Sequence, residues 1–75
     1  MEIILSRHAK RRAKLYRIPE STIVDILSSM NLRQGDNKII KDVVGFKFPL
    51  KIIASVEKNV ITVITNYPLK KGREK

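Results

Sequence analysis

The apolar period changes half-way along the chain, and that change limits the folds open to it. The first half repeats at helical spacing. Leu5, Ala9, Ala13 and Tyr16 fall at i, i+4, i+8 and i+11, one face of a helix. Ile23, Ile26, Leu27 and Met30 fall at i, i+3, i+4 and i+7, with Val24 widening the stripe. In the second half, Leu50, Ile52, Ala54 and Val56 alternate with Lys51, Ile53, Ser55 and Glu57, a period of two. Residues 60–65 are β-branched at every position, the strongest strand signal in the chain. Helices first and strands after predict an α+β domain, two N-terminal helices packed on one face of an antiparallel β-sheet.

Local signals set the boundaries. Ser6 is placed to cap a helix running from Arg7 to about Tyr16. Pro19 ends that helix, because the residue before a proline leaves the α region. It also suits the first turn of a second helix, with Glu20 at the positive end and a stop near Asn31. Glu2–Leu5 predicts a short edge strand. A turn cluster at 34–37 leads to a strand over Lys38–Val44, which Gly45 breaks. Leu50–Glu57 and Val60–Tyr67 form a hairpin around Lys58-Asn59, with Asn59 tolerating positive φ, and Pro68 stops the last strand. Alternation along that strand puts Thr65 and Tyr67 on one face with Ile61 and Val63. A chain of 75 residues holds one compact domain, over 1–69, with 70–75 as a basic tail. So short a chain builds no spacious buried active site, so any chemistry belongs in a shallow groove.

The formal charge of +9 favours a polyanionic partner. It is unevenly spread. Residues 1–17 hold six cations and one acid, and residues 70–75 hold four cations and one acid; the stretch between them nets +1. A one-sign block repels itself, so the N-terminal one calls for a reason. There is no cysteine, which excludes disulfides, thiol catalysis and Cys-based zinc sites. A single histidine does not make a zinc site without carboxylate help, and the carboxylates show no metal-type spacing. No metal or cofactor is expected. Apolar runs are too short for a membrane helix or a signal peptide, which predicts a cytoplasmic protein with no membrane partner.

His8 is the only histidine, and histidine is the side-chain type suited to moving protons near neutral pH. Arg11 and Arg12 follow at i+3 and i+4, one helical turn away. Arginine binds phosphate bidentately and stabilises charge that develops on it, while histidine transfers the proton of an attacking or leaving oxygen. In RNA the nucleophile is the substrate's own 2′-OH. Equally, a histidine on a cationic helix can be a plain surface residue. Tyr67 suits either a base or phosphate contact or the edge of the core, and Tyr16 belongs to the core face.

The order Ser6-Arg7-His8-Ala9-Lys10-Arg11-Arg12, Ile18, a helix with Ile23 and Leu27, and a meander ending Ile61-Thr62-Val63-Ile64-Thr65-Asn66-Tyr67 resembles the domain of unknown function 4258 family. The likeness runs from about Glu2 to Pro68. That family is grouped with the RelE, ParE and BrnT toxins, in a wider ribonuclease fold that includes barnase. The resemblance implies a RelE/barnase-like fold, metal-independent RNA cleavage and an acidic antitoxin as partner. It assigns catalytic roles to His8, Arg12, Thr65 and Tyr67. Tyr16-Arg17-Ile18 stands where the family often has Arg-Gly-Ile, so the glycine is missing here.

The resulting expectation is a small ribonuclease toxin acting on free or ribosome-bound RNA, with Arg7, Lys10, Arg11, Lys14, Arg17, Lys51, Lys70 and Lys71 holding the RNA. Two other readings stand open: an RNA- or ribosome-binding module without catalysis, and a protein-interaction domain that pairs with an acidic antitoxin.

Overall fold

The structure, a computed structural model, describes residues 2–69. Its elements are β1 (Glu2–Leu5), α1 (Arg7–Leu15), α2 (Glu20–Ser28), β2 (Gly35–Lys41), β3 (Leu50–Glu57) and β4 (Val60–Pro68). The fold is α+β. Its four strands lie in the order β1-β4-β3-β2. β2, β3 and β4 form the expected antiparallel meander, and β1 is an edge strand. The sheet as a whole is mixed, because β1 runs parallel to β4, with Leu5 beside Val63. The two helices return the chain across the sheet, so β1 and β2 run the same way. β4 shares that direction, being two antiparallel steps from β2.

One sheet face is covered and the other is open. Leu5, Ile39, Leu50, Ile52, Ala54, Val56, Ile61 and Val63 point into the core. Both helices supply buried side chains to that core, α1 with Ala9 and Ala13, α2 with Ile23, Ile26 and Leu27. Each large aliphatic side chain contributes roughly 1.5–3 kcal/mol by burial. Nine-residue helices are marginal alone, so this packing holds them. α1 buries only alanines, which brings its backbone close to β4. No helix among the described residues is long and apolar enough to cross a membrane.

β4 departs from strict alternation. Ala54 pairs with Val63, and Ile53 pairs with Thr65, so Ile64 is the extra residue of a β-bulge. Beyond the bulge the faces exchange. Val63 and Asn66 point inward; Thr65 and Tyr67 point to the open face, opposite Ile53 and Lys51 of β3. The shared face expected for Ile61, Val63, Thr65 and Tyr67 is therefore corrected. Ser6 ties α1 to the bulge. Its Oγ accepts the N–H of Ala9 at 3.0 Å and donates to the Ile64 carbonyl at 3.1 Å. Its own N–H donates to Val63.

Two turns carry positive φ on cations. α1 ends with the N–H of Ile18 on the Ala13 carbonyl and the N–H of Arg17 on that of Lys14. That is a Schellman closure, whose left-handed position is usually glycine. Arg17 fills it at φ 55°. Arg17→Gly is expected to raise stability by about 0.5–1 kcal/mol, since relief of the left-handed strain exceeds the added entropy of the unfolded chain; urea denaturation of the two proteins measures it. In the β3–β4 hairpin the positive φ falls on Lys58, at 58°, and not on Asn59. The Gln34 side chain fixes this peptide. Its Oε1 accepts from the N–H of Lys58 and its Nε2 donates to the Lys58 carbonyl. β2 begins earlier than expected because the Asn37 side chain closes the preceding turn onto Arg33 and Gly35. Pairing stops at Lys41, opposite Leu50, the first residue of β3.

Candidate nucleic-acid interface

α1 sorts its cations by helical geometry. Ala9 and Ala13 face the sheet. Arg7, Lys10, Arg11 and Lys14, at i, i+3, i+4 and i+7, make one stripe on the far side, and all four are exposed. Arg17 continues this charge just past the helix end and is exposed too. From Ile3 to Pro19 the chain has no acidic residue. The stripe costs stability. Like charges at i+3 and i+4 repel by about 0.2–0.5 kcal/mol per pair, and Arg7 opposes the positive end of the helix. An anion laid along α1 removes both penalties. A shallow cleft between α1 and the start of α2 is lined by Lys10, Ala13, Lys14, Ile18 and Glu20, so the one carboxylate there borders the stripe from α2.

His8 and Arg12 occupy the flank of α1 one turn apart, with the exposed Leu15 beyond them. His8 is exposed and Arg12 half-buried. The Arg12 Nη1 donates to the Tyr16 Oη at 3.4 Å, which leaves other guanidinium N–H groups free for a phosphate. Tyr16 packs against the core, as its place on the Ala9 face implied. His8 and Arg12 thus share one turn and one flank.

Thr65 and Tyr67 do not join them. They stand with Lys51 on the open face of the sheet, the face away from α1. The catalytic set implied by the resemblance is therefore divided between the two faces of the sheet, because the bulge at Ile64 turns Asn66 inward in place of Thr65 and Tyr67. Three surface clefts, beside α2 and β1, beside the β3–β4 hairpin and beside α1, include none of His8, Arg12, Thr65 and Tyr67 among their walls. Lys70 and Lys71 lie outside the described residues. Among the described residues no group of three or more His, Cys, Asp or Glu side chains is placed to hold a metal ion.

Asn66 is the residue that sequence reasoning passed over. It is fully buried, and its Nδ2 donates to the Ala9 carbonyl at 3.2 Å, joining β4 to α1. Its Oδ1 is buried without a hydrogen-bond partner. The only signal in the sequence was an amide directly after the most β-branched segment.

No protein-family model, curated protein or solved structure matches the chain.

Proposed function

We propose that this chain is a small RNA-binding domain of the ribonuclease-toxin type, and that α1 is its contact surface. The stripe of Arg7, Lys10, Arg11 and Lys14 carries this reading. Four exposed cations on one helix face, kept at a cost in stability and with no acid between Ile3 and Pro19, fit a phosphate backbone. Arg17 extends the contact, an exposed cation at a positive φ that suits glycine better. The resemblance to the RelE and BrnT group supports RNA as the polyanion and a RelE/barnase-like arrangement of the fold. It also supports a cytoplasmic setting and an acidic antitoxin that competes for the same stripe. Lys51, Thr65 and Tyr67, on the other face, contribute little to RNA held by α1.

Metal-independent cleavage is the second reading, favoured by the place of His8 and Arg12 on one turn of that helix. The 2′-OH attacks the adjacent phosphorus. The bond to the 5′-oxygen breaks, leaving a 2′,3′-cyclic phosphate and a free 5′-OH. His8 takes the proton of the 2′-OH or supplies that of the leaving 5′-oxygen, water serves the other oxygen, and Arg12 neutralises the phosphate. Thr65 and Tyr67 take no part in a site built this way.

Purified protein and His8→Ala, each mixed with single-stranded RNA and with ribosomes in EDTA, separate the readings. A catalytic His8 predicts loss of cleavage by about 10²–10⁴ with RNA affinity unchanged. Tight binding without product from either protein leaves the binding module. No binding at low salt removes RNA as the partner.

A further inference from the structure

The open face of the sheet carries a pattern that RNA binding does not use. Ile4, Ile40 and Ile64 are exposed there at 42%, 59% and 41%, with Ile53 half-buried among them. Charge on this face is divided by level. Lys51 and Lys38 occupy one half, and Glu57 and Asp36 the other, with Glu2 of the edge strand β1 on the acidic side. None of the four has an opposite charge facing it on a neighbouring strand: Lys51 stands between Ile40 and Tyr67, Lys38 beside Ile53, Asp36 beside Ser55 and Glu57 beside Val60.

The register makes the division self-complementary. Asn37, Ala54 and Val63 lie at one level across β2, β3 and β4. Lys51 and Glu57 are each three residues from Ala54, on opposite sides. Lys38 and Asp36 are each one residue from Asn37, on opposite sides. A two-fold axis parallel to the sheet, at this level and perpendicular to the strands, sets Lys51 of one copy against Glu57 of the other. The same axis sets Lys38 against Asp36. Two neighbouring strands therefore satisfy one symmetry operation, and both pairings occur twice, as an isologous contact requires.

From this arrangement we infer that the open face is a homodimer interface, with two copies packed sheet to sheet and their strands running in opposite directions. Aligned sheets pack at about 10 Å, within reach of lysine and glutamate side chains from both sides. Ile4, Ile53 and Ile64 supply apolar contact near the axis, and Ile40 adds to it beside Lys51. The patch measures roughly 19 by 23 Å from strand spacing and rise, so two copies cover on the order of 900 Å². That is the size of a weak, transient complex. The dimer faces its two α1 helices outward, and its existence does not depend on what α1 binds.

Sedimentation equilibrium of the full chain tests this, from about 5 μM to about 1 mM. The expected result is a monomer–dimer equilibrium with a dissociation constant between about 10 and 500 μM. Lys51→Glu and Glu57→Lys each weaken association about tenfold or more, because each sets like charges against one another twice. The double variant Lys51→Glu/Glu57→Lys restores it to within about threefold of the original. Circular dichroism of each variant confirms that it is folded. A chain that stays monomeric throughout the range overturns the proposal. So does a dimer that the single reversals leave intact, or one that the double variant fails to restore.

Discussion

Reversing two charges of the α1 stripe, Arg7→Glu with Lys14→Glu, is expected to reduce affinity for single-stranded RNA about 100-fold at low salt and to stabilise the fold. The two effects have one cause. Arg7 neighbours Lys10 and Arg11 on the helix, and Lys14 neighbours the same two residues from the other side. Each of those four pairs is repulsive in the natural chain and becomes attractive in the variant. The new carboxylate at position 7 also meets the positive end of the helix, though the one at position 14 opposes the negative end. Together these raise stability by about 1 kcal/mol at low ionic strength. RNA loses two phosphate contacts and gains two repulsive ones, which accounts for the 100-fold loss, about 2.7 kcal/mol. Filter binding and urea denaturation of the same preparation read the two directions. A damaged fold would lower both quantities, so a rise in stability with a fall in affinity identifies the stripe itself.

The second large effect is expected at Asn66. Asn66→Asp puts a carboxylate where an amide donates to the Ala9 carbonyl and where the second side-chain oxygen already has no partner. The bond to the carbonyl is lost, two oxygens repel, and a buried charge has no cation to meet it. About 3–5 kcal/mol is the expected cost at neutral pH. A domain of this size has roughly 4–11 kcal/mol in total, so the variant sits near unfolding. Burial favours the protonated carboxyl, which again donates to Ala9. The penalty is therefore smallest at acidic pH and grows as pH rises through the titration of the buried carboxyl, to its full size above it. Thermal melts of the variant and the natural chain across pH 4–8 show this as a gap that widens towards neutrality. Asn66→Asp losing no more stability than an exposed substitution would deny Asn66 its role as the link between β4 and α1.

The helices and β3 were legible because their side chains sort cleanly. Ala9, Ala13, Ile23, Ile26 and Leu27 repeat at helical spacing, and Leu50 to Val56 alternate; all of these apolar positions are buried. The cations of α1 were legible for the same reason, since a helix with alanines on one side has only the other side for its charges. β4 was not. With β-branched residues at every position from Val60 to Thr65, nothing in the composition fixes which alternate set turns inward, and the bulge at Ile64 changes the phase inside that stretch. This one residue separates Tyr67 from His8 and brings Asn66 to the helix. The positive φ of Arg17 and Lys58 was hidden as well. Arg17 takes it in the local closure of α1, and Lys58 is held in it by the distant Gln34 side chain.

The assignment of RNA contact to α1 is tested most directly by the dependence of affinity on salt. A single strand held by the four cations of the stripe gives a slope of log K against log salt of about −3, and Arg7→Glu/Lys14→Glu lowers it to about −1.5 or less. Lys51→Ala, on the opposite face, leaves the slope at about −3. A slope unchanged by the α1 reversal, or one that moves with Lys51, would contradict the assignment and place the RNA on the open face of the sheet.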